Sequence, residues 1–381
     1  MSMREKLFNP DYLLHLCQQA GLRPSRQYGQ NYLINPEVID QMIAAAGVTK
    51  NDTVVEVGPG FGVLTFALAE TAGQVVAFEI EKKLQKYWAR FCQSDQSEGL
   101  APIKNLQIIW GNVLHANFDW GENTSCSLFS RASAKGCDCG RITRSQEIFS
   151  PQTKYKVIAN LPYQITSQVL RKFLESNNPP ETMTVMVQKE VAERICARPG
   201  DMSLLSLAVQ YYGEPEIVAV VTRDNFWPEP KVDSAIIKIK YKKSNIKNSD
   251  SVIGHVCHSE PCLPTGRQSE ESPTTSKTNE DPSHSFGMTS GGEPAIDPTC
   301  HSERSPADWR GGVEESVAFT KRFFDIARLG FANRRKFLIK NLSSLAKKSE
   351  LAKVFDEMGL KNTVRAQELS VEQWKILAEK L

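Results

Sequence analysis

No stretch of this 381-residue chain approaches the roughly 20 consecutive apolar residues that a membrane span requires, and Met1 to Pro10 holds no apolar run like that of a secretion signal. A soluble cytoplasmic protein with no membrane partner is therefore expected. Histidine is scarce: there are six, and four of them fall between residues 244 and 316. The Cys257-His258 and Cys300-His301 pairs in that stretch fit no compact zinc-finger spacing, so no metal site is expected. Nine cysteines could suggest a disulfide framework, but a chain of this length does not need stapling, and they read as free thiols. Disorder of the whole chain is excluded by 40% hydrophobic and 24% charged residues, which leave ample material for a core.

The excess of positive charge is only +2, but it is unevenly spread. Residues 244–316 carry five Lys/Arg against twelve Asp/Glu, a net of −7, so the remainder of the protein is +9. The last 65 residues hold fourteen Lys/Arg against seven Asp/Glu, a balance compatible with an anionic partner such as nucleic acid.

Two segments interrupt the globular pattern. Residues 244–316 are rich in Ser, Pro, Thr, Glu and Gly and cannot bury a core, so they read as a low-complexity, disordered insertion. Residues 122–151, with Cys126, Cys137 and Cys139, read as an inserted surface loop. The rest alternates between strand and helix. Thr53 to Val57 is a β-branched run ending in glycines, Val63 to Thr71 is helical in composition, Gln74 to Ile80 is a second strand and Glu81 to Phe91 a charged helix. Leu106 to Trp110, Tyr155 to Ala159 and Thr184 to Gln188 are further strands, and Ile217 to Thr222 with Ala235 to Tyr241 form a closing pair. This predicts an α/β, doubly wound, Rossmann-like sheet over residues 1–243. Residues 317–381 predict a separate small all-helical domain, broken at Gly330, Gly359 and the Asn362-Thr363 turn.

Val54-Val55-Glu56-Val57 runs into Gly58-Pro59-Gly60-Phe61-Gly62, a glycine-rich turn where the first strand hands over to the first helix. Backbone at Gly58 and Gly60 can approach a ligand closely there. A dinucleotide fingerprint would read G-x-G-x-x-G; this turn is G-x-G-x-G, preceded by an acidic residue, and resembles motif I of class I S-adenosylmethionine-dependent methyltransferases. Glu79, at the end of the second strand, can accept hydrogen bonds from both ribose hydroxyls of an adenosine cofactor. Asn112, after the third strand, is placed to hydrogen-bond the cofactor's adenine, or is simply a turn residue.

Asn160-Leu161-Pro162-Tyr163 follows the fourth strand and has the shape of the N/D-x-P-Y/F motif of amino-group methyltransferases. The amide oxygen of Asn160 and a backbone carbonyl can accept both protons of an exocyclic amine and so aim its lone pair. Pro162 fixes the backbone, and Tyr163 offers a face on which an unstacked base can lie. Transfer from a sulfonium to nitrogen needs positioning rather than a strong base.

Taken together, the blocks of the chain resemble the ribosomal RNA adenine N6-dimethyltransferases of the KsgA type. They are Gly29-Gln30-Asn31-Tyr32-Leu33, Glu56 to Gly62, Asn160 to Ser167, Gln188 to Arg194, Phe226 to Ser234, and Phe331 to Leu342 with its Arg334-Arg335-Lys336 run. The resemblance implies S-adenosyl-L-methionine as cofactor, with contacts from Asn31, Leu33, Gly58, Gly60, Glu79, Asn112 and Asn160. It implies base positioning by Asn160 and Leu161, beside Pro162, with Tyr163 and Phe226 stacking on the target adenine. Phe226 has a second reading as a core aromatic. Arg334, Arg335 and Lys336, adjacent on an expected helix, fan across more than one face and suit RNA phosphates. The partners implied are small-subunit (16S) ribosomal RNA and the immature small subunit, the product N6,N6-dimethyladenosine at two adjacent positions, and the enzyme a monomer linked to subunit assembly. Asn112 stands where the family usually has Asp, which keeps an acceptor and loses a charge. Two other readings stay open: an Erm-like methyltransferase of large-subunit RNA, and an RNA-binding assembly factor that has lost the chemistry.

Overall fold

The computed structural model of the protein describes residues 3–23, 31–92, 102–116, 154–242 and 307–381. The loop expected at 122–151 and residues 244–306 of the expected insertion lie outside the described residues. Two Asn-Pro dipeptides start the first long helices. Met3–Lys6 (α1) is followed by Pro10–Gln19 (α2), where Asn9 caps by accepting the Asp11 N–H at 2.8 Å and Pro10 occupies the first turn. After the two-residue strand Tyr32–Leu33 (β1), Pro36–Ala46 (α3) repeats the device: Asn35 accepts the Glu37 N–H at 2.9 Å, and Gly47 closes the helix at φ +58°.

The alternation that follows is the expected one: Thr53–Val57 (β2), Val63–Thr71 (α4), Gln74–Glu79 (β3), Gln85–Cys92 (α5), Leu106–Trp110 (β4), Tyr155–Asn160 (β5), Thr166–Leu174 (α6), Thr182–Gln188 (β6), Lys189–Ile195 (α7) and Leu204–Tyr212 (α8). Gly213–Val221 (β7), Phe226–Trp227 (β8) and Ser234–Tyr241 (β9) complete the strands. Seven of them form one sheet in the order β4-β3-β2-β5-β6-β9-β7, and β1 pairs with β8 in a separate antiparallel ladder. Strands β4, β3, β2, β5 and β6 are parallel, and β9 and β7 run antiparallel. The parallel strands are covered on both faces, so Val54, Val55, Val75, Val76, Val157 and Ile158 are all fully buried. Strand order reverses between β2 and β5, and such a reversal opens a crevice at the carboxyl ends of the strands.

The helical unit consists of Ala307–Phe331 (α9), Leu338–Asn341 (α10), Lys348–Glu357 (α11) and Val371–Lys380 (α12). Two findings differ from the sequence expectation. Helix α9 begins at Ala307, ahead of Val317; Gly311 and Gly312, each costing about 1 kcal/mol in a helix interior, disguise it. Gly330 stands one residue before the end of α9, so the break falls where expected, and Trp374 packs where a side chain at Gly330 would stand. The charged helix after β3 opens as a short 3-10 turn, Lys82–Leu84, before α5. The helical unit shares its core with the sheet unit: Met202, Leu207 and Tyr211 cluster with Phe323, Ile326, Leu351, Phe355 and Trp374. Tyr211 and Phe323 lie 4.5 Å apart, and the Gln367 carbonyl accepts the Gly200 N–H at 2.8 Å.

Candidate active site

The carboxyl ends of β2, β3, β4 and β5 converge on the crevice. The glycine turn after β2 is made by backbone conformation, with Gly58, Gly60 and Gly62 at φ +72°, +57° and +91°. At Gly62 an added Cβ would stand 2.6 Å from the Trp88 ring, whereas at Gly58 nothing lies within 4 Å, so Gly58 presents bare backbone to open space. Two aromatic side chains hold the far side of the turn. The Trp88 indole donates to the Gly60 carbonyl at 3.0 Å, and the Tyr87 hydroxyl to the Phe61 carbonyl at 2.7 Å.

Glu79, 5% exposed at the end of β3, accepts the Gly60 N–H at 3.0 Å on one carboxylate oxygen and the Glu81 N–H at 2.7 Å on the other. Burial raises its pKa, and the backbone N–H groups of Glu81, Gly60 and Ile80 oppose the rise. The carboxylate is thereby fixed in orientation, with lone pairs left for further donors. Glu56, just before the turn, is 2% exposed, and its Oε2 has no hydrogen-bond partner among the described residues. Burial pushes it up to about 8; the Thr65 hydroxyl pulls the other way, and the charge of Glu79 adds to the rise.

Asn112 caps the short turn after β4 by accepting the Leu114 N–H at 3.0 Å, so one lone pair of its amide oxygen is already used for the turn and a second remains. Asn31, next to the Tyr32 whose ring lies 5.3 Å from that of Phe61 in the glycine turn, has its Oδ1 buried and without a partner among the described residues. Leu33, in contrast, has its side chain in the core, 4% exposed, paired across the small ladder with Phe226.

The turn after β5 is held differently. The Leu161 N–H donates to the Met186 carbonyl at 3.1 Å, the Thr166 hydroxyl to the Pro162 carbonyl at 3.3 Å, and the Tyr163 and Ser234 hydroxyls share a hydrogen bond of 2.8 Å. Asn160 and Tyr163 are half-buried, and Leu161 is buried. Phe226 is 3% exposed and belongs to the core cluster with Phe61, Ile158, Met186 and Ile236, the arrangement of a core aromatic. Arg334, Arg335 and Lys336 are exposed but do not lie on a helix: they occupy the turn between α9 and α10. The Asn341 side chain ends α9 there by donating to the Gly330 carbonyl at 2.6 Å, which the helix leaves open, and to the Asn333 carbonyl of the following turn at 3.1 Å.

Two neighbours of the site take positions that the sequence did not assign, although Tyr32 lies in the Gly29 to Leu33 block. Ile80 follows Glu79 with 66% of its surface exposed, a large apolar side chain at the mouth of the crevice. Tyr32 packs against Phe61 at 5.3 Å and Trp227 at 6.3 Å, joining the glycine turn to the Phe226 segment. Among the described residues no group of His, Cys, Asp or Glu could hold a metal ion, and no helix is long and apolar enough to cross a membrane. Cys17, Cys92 and Cys196 are free.

A sheet of this order, with a glycine turn after its first parallel strand and an acidic residue ending the next, defines a class I methyltransferase fold, the S-adenosylmethionine-dependent class. The residues present fit that cofactor: bare backbone at Gly58, an oriented buried carboxylate at Glu79, and an unpartnered acceptor at Asn31. Residues 22–256 match the family model described as ribosomal RNA adenine dimethylase, and the chain belongs to that family. It is 32% identical over 359 residues to the ribosomal RNA small subunit methyltransferase A of Dehalococcoides mccartyi, covering 93% of this chain and 88% of that protein. Among solved structures it resembles a dimethyladenosine transferase from Plasmodium falciparum (TM-score 0.52, 20% identity, 91% of this chain and 96% of that one). It also resembles the 23S rRNA methyltransferase ErmE (TM-score 0.51, 21% identity, 92% and 98%). At these identities the two structures speak for the fold.

Proposed function

We propose that the protein transfers methyl groups from S-adenosyl-L-methionine to the N6 amino groups of two adjacent adenosines in small-subunit ribosomal RNA, giving N6,N6-dimethyladenosine during subunit assembly. The observation that carries this reading is the placement of Asn160 to Tyr163 at the end of β5, directly across the strand-order reversal from the glycine turn that ends β2. When bound, the cofactor supplies an electrophilic methyl group on a sulfonium. Everything else is positioning. Glu79 would receive the ribose hydroxyls, Asn112 the adenine edge, and the Gly58 and Gly60 backbone, with Asn31, Leu33 and Asn160, would line the remainder. Ile80 adds an apolar surface for the adenine ring.

On the substrate side, the Asn160 amide oxygen and the carbonyl of the Leu161-Pro162 peptide accept the two amino protons. This turns the nitrogen lone pair toward the methyl group and lets the proton leave after transfer. Tyr163, steadied by Ser234, stacks on the base. Stacking by Phe226 on the opposite face requires its ring to leave the core cluster in which it rests. Arg334, Arg335 and Lys336, exposed on their turn, take RNA phosphates, and the enzyme works as a monomer. The name of the D. mccartyi relative favours the small-subunit substrate, since the fold alone matches ErmE and the dimethyladenosine transferase equally well.

The test is methyl transfer from labelled S-adenosylmethionine to immature small subunits lacking these methyl groups, with large-subunit RNA in parallel and mass analysis of the nucleosides. Dimethyladenosine in small-subunit RNA alone is the expected result. Label on large-subunit RNA would replace this reading with the Erm-like one, and cofactor binding without transfer to either RNA would leave an assembly factor.

A further inference from the structure

The side of the molecule behind the glycine turn holds a groove of about 430 Å³ between the end of α2 and the turn and helix that follow β3. Its cations are Lys82, Lys83, Lys86 and Arg90, and its floor is Phe61 and Tyr87. Among the described residues no acidic side chain lines it. The two rings meet edge to face at 5.2 Å, and Phe61 belongs to the glycine turn itself, so the groove and the cofactor crevice share a wall. Lys83 bridges the groove's two sides by donating to the Gly21 carbonyl at 3.0 Å.

Local energetics disfavour this charge pattern. Lys86 and Arg90 are four residues apart on α5, where like charges repel, and Lys82 stands on the 3-10 turn that leads into it. Lys82 and Lys83 sit at the N-terminal end, where a helix favours anions, and the only acidic group there among the described residues is the N-cap Glu81, which accepts the Lys83 N–H at 3.1 Å. Lys82 and Lys86 are exposed and have no ion-pair partner among the described residues. A bound polyanion would offset the repulsion among these cations.

We propose that this groove is a second RNA-docking surface, which holds a stretch of the phosphodiester backbone of the substrate RNA while Arg334, Arg335 and Lys336 hold another part of the same RNA. The spacing of the cations suits a backbone that runs along a helix rather than a single small anion, and the aromatic floor is shielded below them. The inference rests on the RNA-methylating reading above and adds to it a specific surface on the catalytic unit.

The test uses the full chain, a fluorescent RNA stem-loop and the double variant Lys82→Gln/Lys86→Gln, which leaves the half-buried Arg90 in place. Expected are a loss of about tenfold in RNA affinity at low salt and a fall of about 1.5 in the slope of log affinity against log salt, with S-adenosylmethionine affinity unchanged. In a parallel lysine-acylation footprint of the wild type, the stem-loop should protect Lys82 and Lys86, and inorganic phosphate at the same phosphate concentration should not. Unchanged RNA affinity and slope in the variant would overturn the groove while leaving the methyltransferase reading intact. Equal protection by inorganic phosphate would make it a small-anion site instead. A wild type that binds no RNA would remove both readings.

Discussion

The turns after β2 and β5 end neighbouring strands of one sheet, yet they are specified in opposite ways. The first is written in the backbone: three glycines at positive φ, with aromatic and carboxylate groups brought in from β3 and α5 to hold their carbonyl and N–H groups. The second is written in side chains, with a proline, a threonine hydroxyl and a tyrosine hydroxyl each satisfied locally or from β9. On the proposed function, the first kind of turn suits a cofactor approached by main chain, and the second a base gripped by its amino group.

Asn160→Ala should produce the largest effect of all, lowering methyl transfer by about 10²- to 10³-fold, as loss of one preorganised hydrogen-bonding group does, while the melting temperature stays close to wild type. Retained turnover would take the residue out of the mechanism. In the backbone-built turn, Gly62→Ala should destabilise the protein by about 2–4 kcal/mol in a denaturant titration, since its Cβ meets the Trp88 ring at 2.6 Å and the residue is at φ +91°. Gly58→Ala tests the same turn without the clash. Strain of about 1–2 kcal/mol is expected, together with weaker cofactor binding, because the new methyl fills open space on the ligand side.

The acidic residue ahead of that turn sharpens the contrast through pH. Glu56 has its pKa raised to about 8 by burial, so the folded protein binds its proton more tightly than the unfolded chain does. The stabilisation is complete below the ordinary glutamate range and is lost as pH rises toward about 8, and Glu79 is shifted in the same direction. Thermal scans should therefore show stability declining between pH 5 and 8, and Glu56→Gln should flatten that decline. The smallest effect is expected at Tyr163→Phe, which removes the bond to Ser234 for about 0.5–1.5 kcal/mol of stability and leaves the stacking ring and most of the activity in place.

Strands β2 to β6 and the turns that end them were legible because each is a local signal: a β-branched run, then Gly-Pro-Gly or Asn-Leu-Pro-Tyr. The pairing of Leu33 with Phe226 was not, since two-residue strands carry no periodicity and their partners are far apart in the chain. That pairing is what places Phe226 in the core. The basic run at 334–336 was misplaced on a helix for a related reason. Its composition is helical, but Asn341 ends α9 from the following helix, a tertiary contact that overrides propensity. Asn112 was legible both as turn former and as ligand contact, and the structure shows the first role directly.

Because Tyr211 and Leu207 of α8 sit in the same cluster as Phe323 and Trp374, the apolar interior of the helical unit is completed by a helix of the sheet unit. Cutting the chain ahead of α9 would uncover an aromatic patch on the sheet unit and leave the helical remainder without one wall. The two parts should therefore lose their structure together, as one cooperative transition in a calorimetric scan rather than two. A defect introduced at Trp374 would be felt as a lowered melting temperature for the methyl-transferring sheet itself.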